Sequence, residues 1–236
     1  MRFVFLASPV VGPGTWRAVA EVTGDLGHDA HVADLRGVVG DEGPDVHEAL
    51  RAVSAAMGAS GGGSGSVIVV PHSGAGLLVP WIIEGLEVRT TATVFVDAGL
   101  PDRGASSVVV AGSALRDQLG ALVDEDGMLP PWFGWWDPGA LDALVPDPQR
   151  RRALEEEMPR IPIGYLEGSV PVPTGWPQAP GAFLAFGDEA YASEARRARG
   201  WGWPVSVLEG AGHLHMVVDP EKVAREVIAL AGSALL

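Results

Sequence analysis

The amino-acid sequence predicts an α/β protein with a mostly parallel sheet, helices on both faces of that sheet and an inserted lid. Short apolar runs alternate with amphipathic segments up to about residue 100, and the alternation returns after residue 180. One such run, in residues 66–86, passes through a glycine-rich turn into a segment whose apolar residues have helical spacing. Alternating strands and helices are typical of parallel sheets with right-handed crossovers.

The length and composition indicate one globular domain that carries an insertion. The chain has 236 residues, of which 47% are hydrophobic and 19% are charged. We expect the sheet domain to comprise residues 1–106 and 181–236, with the lid at residues 107–180. No apolar run is long enough to cross a bilayer, and the first residues lack the long apolar region of a signal peptide. We therefore expect a cytoplasmic protein without a membrane partner.

Charge and cysteine content argue against several classes of function. The formal net charge is −14, and the only lysine is Lys222. Binding to a nucleic-acid backbone is therefore not expected, because it needs clustered basic residues. The lack of cysteine excludes disulfides, thiol catalysis and thiolate metal sites.

The first half of the chain contains four predicted strands and three predicted helices. The strands are apolar runs bounded by turn residues, at 2–7, 28–33, 67–70 and 91–96. The helices have apolar residues three and four positions apart, at 16–26, 44–57 and 77–86. For the first helix, Thr15 is the expected cap and Gly27 the expected stop signal.

Residues 107–180 break this alternation and are predicted to form the lid. A helix is expected at 137–158, and six prolines from position 159 to position 180 favour an irregular, extended return. The residues expected to line a substrate pocket are His72 of the core and three lid aromatics, Trp132, Trp135 and Trp136. His72 points the opposite way from Ser73, so a structural role is its alternative. The alternative is that the aromatics only attach the lid to the sheet domain.

After the lid, two further strands and two further helices are predicted. The strands are apolar runs at 182–186 and 204–208, and a helix is expected at 191–199 between them. Asp219 is the expected N-cap of the last helix, because Pro220 suits the first helical position.

The turn at residues 71–76, PHSGAG, places a serine between a strand and a helix. A turn this sharp strains its apex residue and needs small neighbours, which Gly74, Ala75 and Gly76 provide. The Ser73 hydroxyl is then expected to project beyond the sheet edge, with the next backbone N–H directed at the group that it attacks. A helix-capping role for Ser73 is the alternative, because serine is a favoured N-cap.

Two acids and a histidine follow other strands in an order that suits serine chemistry. Asp97 follows the fourth strand, Asp188 the fifth and His213 the last. A serine nucleophile needs a base to take its proton and a third group to hold that base. Because parallel strands end at one edge of their sheet, we expect these side chains to approach Ser73.

Four segments resemble the α/β-hydrolase superfamily: FLASPVVGPGTW, VVPHSGAG, VFVDAGLP and GAGHLHMVVDPEKVA. Their order is similar to that of compact members that begin at the third strand of the usual eight. The resemblance implies Ser73 as nucleophile and His213 as base, with His215 as the competing base. It implies Asp188 as the acid in the commoner arrangement and Asp97 in a recognised variant. We favour Asp97 because it ends its strand cleanly at the sheet edge.

The same resemblance implies an oxyanion hole formed by the Gly74 N–H and a second N–H from the loop at residues 8–12. The His-Gly common in that loop is here Ser8-Pro9. Proline has no N–H to donate, so Val10 is the expected second donor.

Together these features predict a serine-dependent enzyme that hydrolyses an ester or thioester through a covalent acyl-enzyme. The aromatic lid favours a bulky apolar or aromatic acyl group. One alternative is an acyltransferase that takes its acyl group from a carrier-protein thioester in natural-product biosynthesis, and another is a non-catalytic binding protein of the same fold. No cofactor is expected, and the pair His213 and His215 lacks the further ligands that a metal site needs.

Overall fold

The computed structural model of the protein describes residues 1–58, 65–187 and 190–236. Its centre is a six-stranded sheet in which every neighbouring pair of strands is parallel. In chain order the strands are β1 (Arg2–Leu6), β2 (Asp29–Ala33), β3 (Val67–Ser73), β4 (Thr90–Ala98), β5 (Gly181–Phe186) and β6 (Val205–Leu208). Their spatial order is β6-β5-β4-β3-β1-β2. This sheet confirms the predicted α/β class.

Helices cover both faces of the sheet. In chain order the α-helices are α1 (Arg17–Asp25), α2 (Val46–Gly58), α3 (Val79–Gly85), α4 (Ser113–Gly120), α5 (Pro138–Leu144), α6 (Pro148–Glu155), α7 (Ile163–Glu167), α8 (Ala192–Gly200), α9 (His215–Val218) and α10 (Pro220–Ala234). Apolar residues of α1 and α10 form one hydrophobic cluster with the sheet, and those of α2, α3 and α8 form a second. Strands covered on both faces favour apolar side chains on both sides, which explains the apolar runs at 67–70 of β3 and 94–96 of β4. Within the described residues, no helix is long and apolar enough to span a membrane.

The two helix caps expected from the sequence have different outcomes. Thr15 lies in a 3-10 turn (Pro13–Thr15), where its hydroxyl donates a 3.0 Å hydrogen bond to the carbonyl of Gly12. Its expected role as the cap of α1 is therefore wrong. Asp219 accepts a 3.0 Å hydrogen bond from the N–H of Lys222 and caps α10 as predicted.

The strand before the serine is longer than its sequence predicts. The β-branched run predicts a strand over 67–70, whereas β3 remains paired with β4 as far as Ser73. The local pattern predicts an earlier end because Pro71 lacks an N–H and proline is typical of strand ends. A 3-10 helix (Gly74–Leu78) then leads directly into α3. The longer strand carries Ser73 to the edge of the sheet.

The two glycines of the turn differ in how much space a side chain would have. A Cβ atom at Gly76 would lie 2.1 Å from the carbonyl oxygen of Gly99, so glycine is required for the close approach of these two loops. A Cβ atom at Gly74 would meet nothing within 4 Å. The expectation that small residues close the turn therefore holds for Gly76 and is wrong for Gly74.

Residues 107–180 connect β4 to β5 and carry α4 to α7. The predicted helix over 137–158 is divided in two, because Asp147 caps the start of α6 shortly after α5 ends. The predicted irregular return contains α7 and a short strand (Ser169–Pro171) antiparallel to Ser107–Val109. This segment has a hydrophobic cluster of its own, so it packs as more than an extended connection.

Candidate active site

Ser73 stands at the carboxyl end of β3 with a strained backbone. Its φ is +56° and its ψ is −132°, a region that residues with a side chain rarely adopt. The strain arises because the chain reverses from strand to 3-10 helix at this one residue. Ser73 lines a cavity at the sheet edge, so its hydroxyl faces the space where a ligand would bind.

Asp97, His213 and Ser73 form a continuous hydrogen-bond chain. The Nδ1 atom of His213 lies 2.6 Å from Asp97 Oδ2, and its Nε2 atom lies 3.1 Å from Ser73 Oγ. Because an ionised carboxylate can only accept, Nδ1 carries a hydrogen and Nε2 is left to accept from the Ser73 hydroxyl. The arrangement can therefore take a proton from Ser73 and stabilise the imidazolium that results.

Asp97 is held in this orientation by its surroundings. It is 1% exposed, and its Oδ1 atom accepts a 3.2 Å hydrogen bond from the Phe186 N–H at the end of β5. A buried carboxylate needs hydrogen bonds to both oxygens, and here the second partner is His213. Asp188, the alternative acid, lies outside the described residues.

His72 lies behind Ser73 and not in the pocket. Its side chain is fully buried, and its ring packs against the rings of His213 and Trp16, with centroids 4.5 and 6.1 Å away. Its Nε2 atom donates a 3.0 Å hydrogen bond to the carbonyl of His213. Burial holds the pKa of His72 well below its usual value, and charge on His213 lowers that pKa further.

Of the two roles expected for His72, the pocket role is therefore wrong and the structural role fits its packing. Successive side chains of a strand point to opposite faces of the sheet, so His72 and Ser73 cannot both face the cavity. Neutral His72 instead supports the loop that carries His213.

Tyr191 also reaches the serine, although no motif in the sequence marks it. Its hydroxyl lies 3.3 Å from Ser73 Oγ, and its ring stacks on that of His213 at a centroid distance of 5.6 Å. Burial raises the pKa of Tyr191 to about 12, so the phenol is neutral at physiological pH. The one signal in the sequence is its position shortly after β5, at the sheet edge where Ser73 and Asp97 lie.

A cavity of about 540 Å³ adjoins Ser73 and His213 between the core and the 107–180 segment. The 107–180 segment contributes Val110, Ala111, Leu115, Trp132, Trp135, Trp136, Ala140, Leu141, Leu144, Tyr165 and Leu166, and the core adds Ser8, Pro9, Val10, Gly74, Ala190 and Tyr191. The wall is thus mainly apolar and includes the three tryptophans expected there. Trp132 also packs near His213, with ring centroids 5.9 Å apart. Such a cavity suits a ligand with a large apolar part.

Both expected oxyanion donors lie along this cavity. Gly74 and Val10 line it together with Ser73. The N–H groups of Val11 and Gly12 donate to the carbonyl of Ser8 at 3.1 and 3.0 Å, so they are already engaged within the loop. The role of Gly74 and Val10 as donors stays a prediction that this placement favours.

A carboxylate of the 107–180 segment holds the far end of the loop at residues 8–14, here called the oxyanion loop. The Glu157 Oε2 atom accepts a 3.0 Å hydrogen bond from the N–H of Gly14, and its Oε1 atom pairs with Arg17. The backbone carbonyl of Glu157 accepts a further 3.0 Å hydrogen bond from Arg36. The two walls of the cavity are thus tied together.

The competing base, His215, occupies a different position. It begins α9 and packs edge-on against Phe186, with ring centroids 5.8 Å apart, and burial lowers its pKa. His213 is the histidine whose ring is hydrogen-bonded to Ser73. Over residues 1–58, 65–187 and 190–236, no group of three histidine or acidic side chains is arranged to hold a metal ion.

Comparisons with known proteins agree with the architecture. A sequence model described as the alpha/beta hydrolase family matches residues 3–226. Solved structures that resemble the chain include an extracellular alpha/beta-hydrolase from a Paenibacillus species, with 17% identity, 98% of each chain covered and a TM-score of 0.69. A pyrethroid hydrolase has 16% identity over 100% of this chain and 98% of its own, with a TM-score of 0.67. A methylesterase from Arabidopsis has 14% identity over 98% of this chain and 99% of its own, also with a TM-score of 0.67. No curated protein sequence matched the chain.

Proposed function

The chain belongs to the alpha/beta hydrolase family, and from this premise we propose that it is a serine esterase that forms its acyl-enzyme on Ser73. In this proposal His213 is the general base and Asp97 orients it. The substrate is an ester or thioester with a bulky apolar or aromatic acyl group. The observation that carries the proposal is the hydrogen-bond chain from Asp97 through His213 to Ser73 at the wall of an apolar cavity. The esterase-type structures among its neighbours support the same class.

Acylation starts with attack of Ser73 Oγ on the carbonyl carbon of the substrate. The Nε2 atom of His213 takes the Ser73 proton as the new C–O bond forms, and Asp97 stabilises the resulting imidazolium. The N–H groups of Gly74 and Val10 receive the developing negative charge on the carbonyl oxygen. When the tetrahedral intermediate collapses, the bond to the leaving group breaks, and His213 delivers its proton to the leaving atom.

Deacylation repeats these steps with water as the nucleophile. His213 takes a proton from water while the water oxygen attacks the acyl carbon. The bond to Ser73 Oγ then breaks, and the proton passes from His213 to Ser73. The free carboxylic acid and the starting enzyme result.

The cavity argues for an acyl group larger than acetyl. Each apolar methylene transferred from water to an apolar wall contributes about 0.8 kcal/mol, equivalent to roughly fourfold in binding. A volume of about 540 Å³ lined largely by tryptophan, leucine and valine offers room for several such groups. We therefore expect kcat/KM to rise with acyl chain length until the cavity is filled.

Labelling with a fluorophosphonate probe tests the nucleophile. The wild type should be labelled and should hydrolyse p-nitrophenyl octanoate faster than the acetate. Ser73→Ala should lose both labelling and turnover, whereas Ser113→Ala, which removes an exposed serine at the start of α4, should retain both. Equal labelling of Ser73→Ala, or a wild type that is never labelled, would count against the proposal and favour a non-catalytic binding protein. Faster release of the trapped acyl group to an added alcohol or amine than to water would favour the acyltransferase alternative.

A further inference from the structure

Tyr191 holds a position at the nucleophile that the three-residue mechanism does not use. Its hydroxyl is 3.3 Å from Ser73 Oγ and its ring is stacked on His213 at an interplanar angle of 25°. Both residues line the cavity, so a substrate carbonyl bound at Ser73 must lie beside this phenol. A buried phenol in this position can donate a hydrogen bond to the substrate as well as pack against His213.

The direction of the Tyr191 hydrogen bond follows from the rest of the chain. Ser73 has a single hydroxyl hydrogen, and the Nε2 atom of His213 accepts it when Nδ1 donates to Asp97. Ser73 Oγ can therefore only accept from Tyr191, and the phenol donates. Because burial raises the pKa of Tyr191 to about 12, the phenol carries this hydrogen at neutral pH.

When Ser73 Oγ attacks, it becomes an ether-type oxygen, which is a weaker acceptor than an oxygen that carries developing negative charge. The Tyr191 hydroxyl therefore gains by donating to such an oxygen instead. The tetrahedral centre offers two further oxygens, the oxyanion and the leaving-group oxygen. In the proposed mechanism the oxyanion faces the Gly74 and Val10 backbone, whereas the leaving-group oxygen must face His213 to receive its proton. Tyr191 is stacked on His213, and it therefore lies on the leaving-group side.

We propose that the Tyr191 hydroxyl donates a hydrogen bond to the leaving-group oxygen during acylation, so that the site favours oxygen esters of alcohols over thioesters. The inference rests on the proposed function and refines its substrate class. Tyr191 transfers no proton: the Ser73 proton goes to His213 and from there to the leaving oxygen, while the C–O bond to the alcohol breaks. In deacylation the same hydroxyl holds the incoming water against His213, since that water occupies the leaving-group position.

The selectivity arises from the hydrogen-bonding capacity of the leaving atom. Thioester sulfur is a weak acceptor, so it gains little from a phenol donor. An alkoxide leaving group carries much developing charge and gains most. A p-nitrophenolate leaving group disperses its charge and needs the donor less.

The test compares Tyr191→Phe with the wild type on three substrates that share one octanoyl group: the ethyl ester, the p-nitrophenyl ester and the S-ethyl thioester. The value of kcat/KM reports the steps through acylation. For the ethyl ester it should fall about tenfold to a hundredfold, the size expected for loss of one donor to developing charge. For the p-nitrophenyl ester and the thioester it should fall by clearly less. The Phe ring keeps the stacking on His213, so a merely structural role predicts no difference between substrates.

Tyr165→Phe is the matched control. Tyr165 is a second buried tyrosine that lines the same cavity, and burial raises its pKa as well. This variant should leave the ratio of the three kcat/KM values unchanged. Equal losses on all three substrates for Tyr191→Phe, or no loss on the ethyl ester, would overturn the inference.

Failure of the inference can be told apart from failure of the proposed function. If Ser73→Ala is inactive and unlabelled by the fluorophosphonate while Tyr191→Phe loses activity equally on all esters, only the role of Tyr191 is wrong. If Ser73→Ala retains turnover, the proposed function fails, and the Tyr191 comparison then has no bearing on acyl transfer.

Discussion

Ser73 and Asp97 share an unusual backbone geometry. Within the described parts of the chain, they are the two non-glycine residues with positive φ, at +56° and +41°. Each such conformation costs on the order of 1–3 kcal/mol and persists only where the surrounding structure imposes it. The backbone strain thus falls on the two residues whose side chains approach His213 from opposite sides. Such placement is typical of sites whose geometry is set for a reaction.

Replacing Asp97 tests which carboxylate orients the base. Asp97→Asn keeps the size of the side chain but presents an amide to Nδ1 of His213, so the ring loses its favoured tautomer and the stabilisation of its charged form. We expect kcat to fall on the order of a thousandfold to ten-thousandfold, with little change in fold. The measurement is steady-state hydrolysis of a p-nitrophenyl ester, with circular dichroism as the check on folding.

Asp188→Asn is the reciprocal variant, because Asp188 is the acid that the commoner family arrangement implies. It should retain nearly full activity. A large loss in Asp188→Asn together with a small loss in Asp97→Asn would reverse the assignment.

The oxyanion loop is held in place by a distant part of the chain. Its end is fixed by Glu157, which accepts from the N–H of Gly14 and pairs with Arg17. Glu157 belongs to the 107–180 segment, whereas the loop follows β1 of the sheet. The position of the Val10 N–H therefore depends on contact between the two walls of the cavity.

Glu157→Ala should loosen this loop, although Glu157 does not itself line the substrate cavity. We expect kcat to fall roughly threefold to tenfold with little change in KM, because a misplaced donor weakens transition-state binding. The free energy of unfolding should fall by about 1 kcal/mol, as is usual for loss of a hydrogen bond and a partly exposed ion pair. Steady-state kinetics and urea unfolding measure the two effects.

Glu156→Gln is the control for this element, because Glu156 is the exposed neighbour at the end of α6. It should behave as the wild type. If Glu157→Ala does the same, the loop holds its position without the carboxylate.

The fold as a whole keeps one histidine neutral in its interior. His72 is fully buried between the rings of Trp16 and His213, and its pKa is held well below the usual value of 6.5, chiefly by burial and then by the charge of His213. Above pH 6.5 His72 is neutral in both the folded and the unfolded chain, so it adds no pH dependence. Below pH 6.5 the unfolded chain binds a proton that the folded chain does not. Acid therefore destabilises the fold through His72.

The variant His72→Gln isolates this effect. Glutamine can donate to the His213 carbonyl from nearly the same place but does not titrate. The stability of the wild type relative to the variant should be constant above pH 6.5. It should then decrease by about 1.4 kcal/mol per pH unit as pH falls towards the lowered pKa. Urea unfolding between pH 8 and pH 5 measures this difference, and a difference that stays constant over the whole range would contradict the burial argument.

The elements of the fold were largely predictable from the sequence. The errors lie where the local residue pattern favoured one structure and the tertiary packing imposed another. The six sheet strands all appear near their predicted positions, because apolar runs and turn residues are visible in short stretches of sequence. The end of β3 was predicted too early, because proline is typical of strand ends, whereas Pro71 pairs with Leu6 inside the sheet. The helix over 137–158 was predicted as one, since its periodicity continues across the cap at Asp147.

The residues of the candidate site were predictable where they come directly after a predicted strand in the sequence. Ser73 and His213 each stand in a recognisable motif, and the structure brings their side chains within 3.1 Å. Tyr191 carries no such motif, because a tyrosine after a strand is common and its value here depends on stacking against His213. His72 was expected to be either structural or pocket-lining, and only its packing against Trp16 and His213 decided between the two.

Local features of the sequence were enough to predict the α/β class, the order of strands and helices, the interruption at residues 107–180 and a candidate nucleophile and base. These features depend on residue periodicity and on short motifs, which are local properties of the chain. The contacts of Asp97 with His213, of Tyr191 with Ser73 and of Glu157 with the oxyanion loop became visible only in the folded molecule. Each of these contacts joins residues far apart in sequence, and their distances depend on how the two layers of helices and the 107–180 segment pack against one sheet.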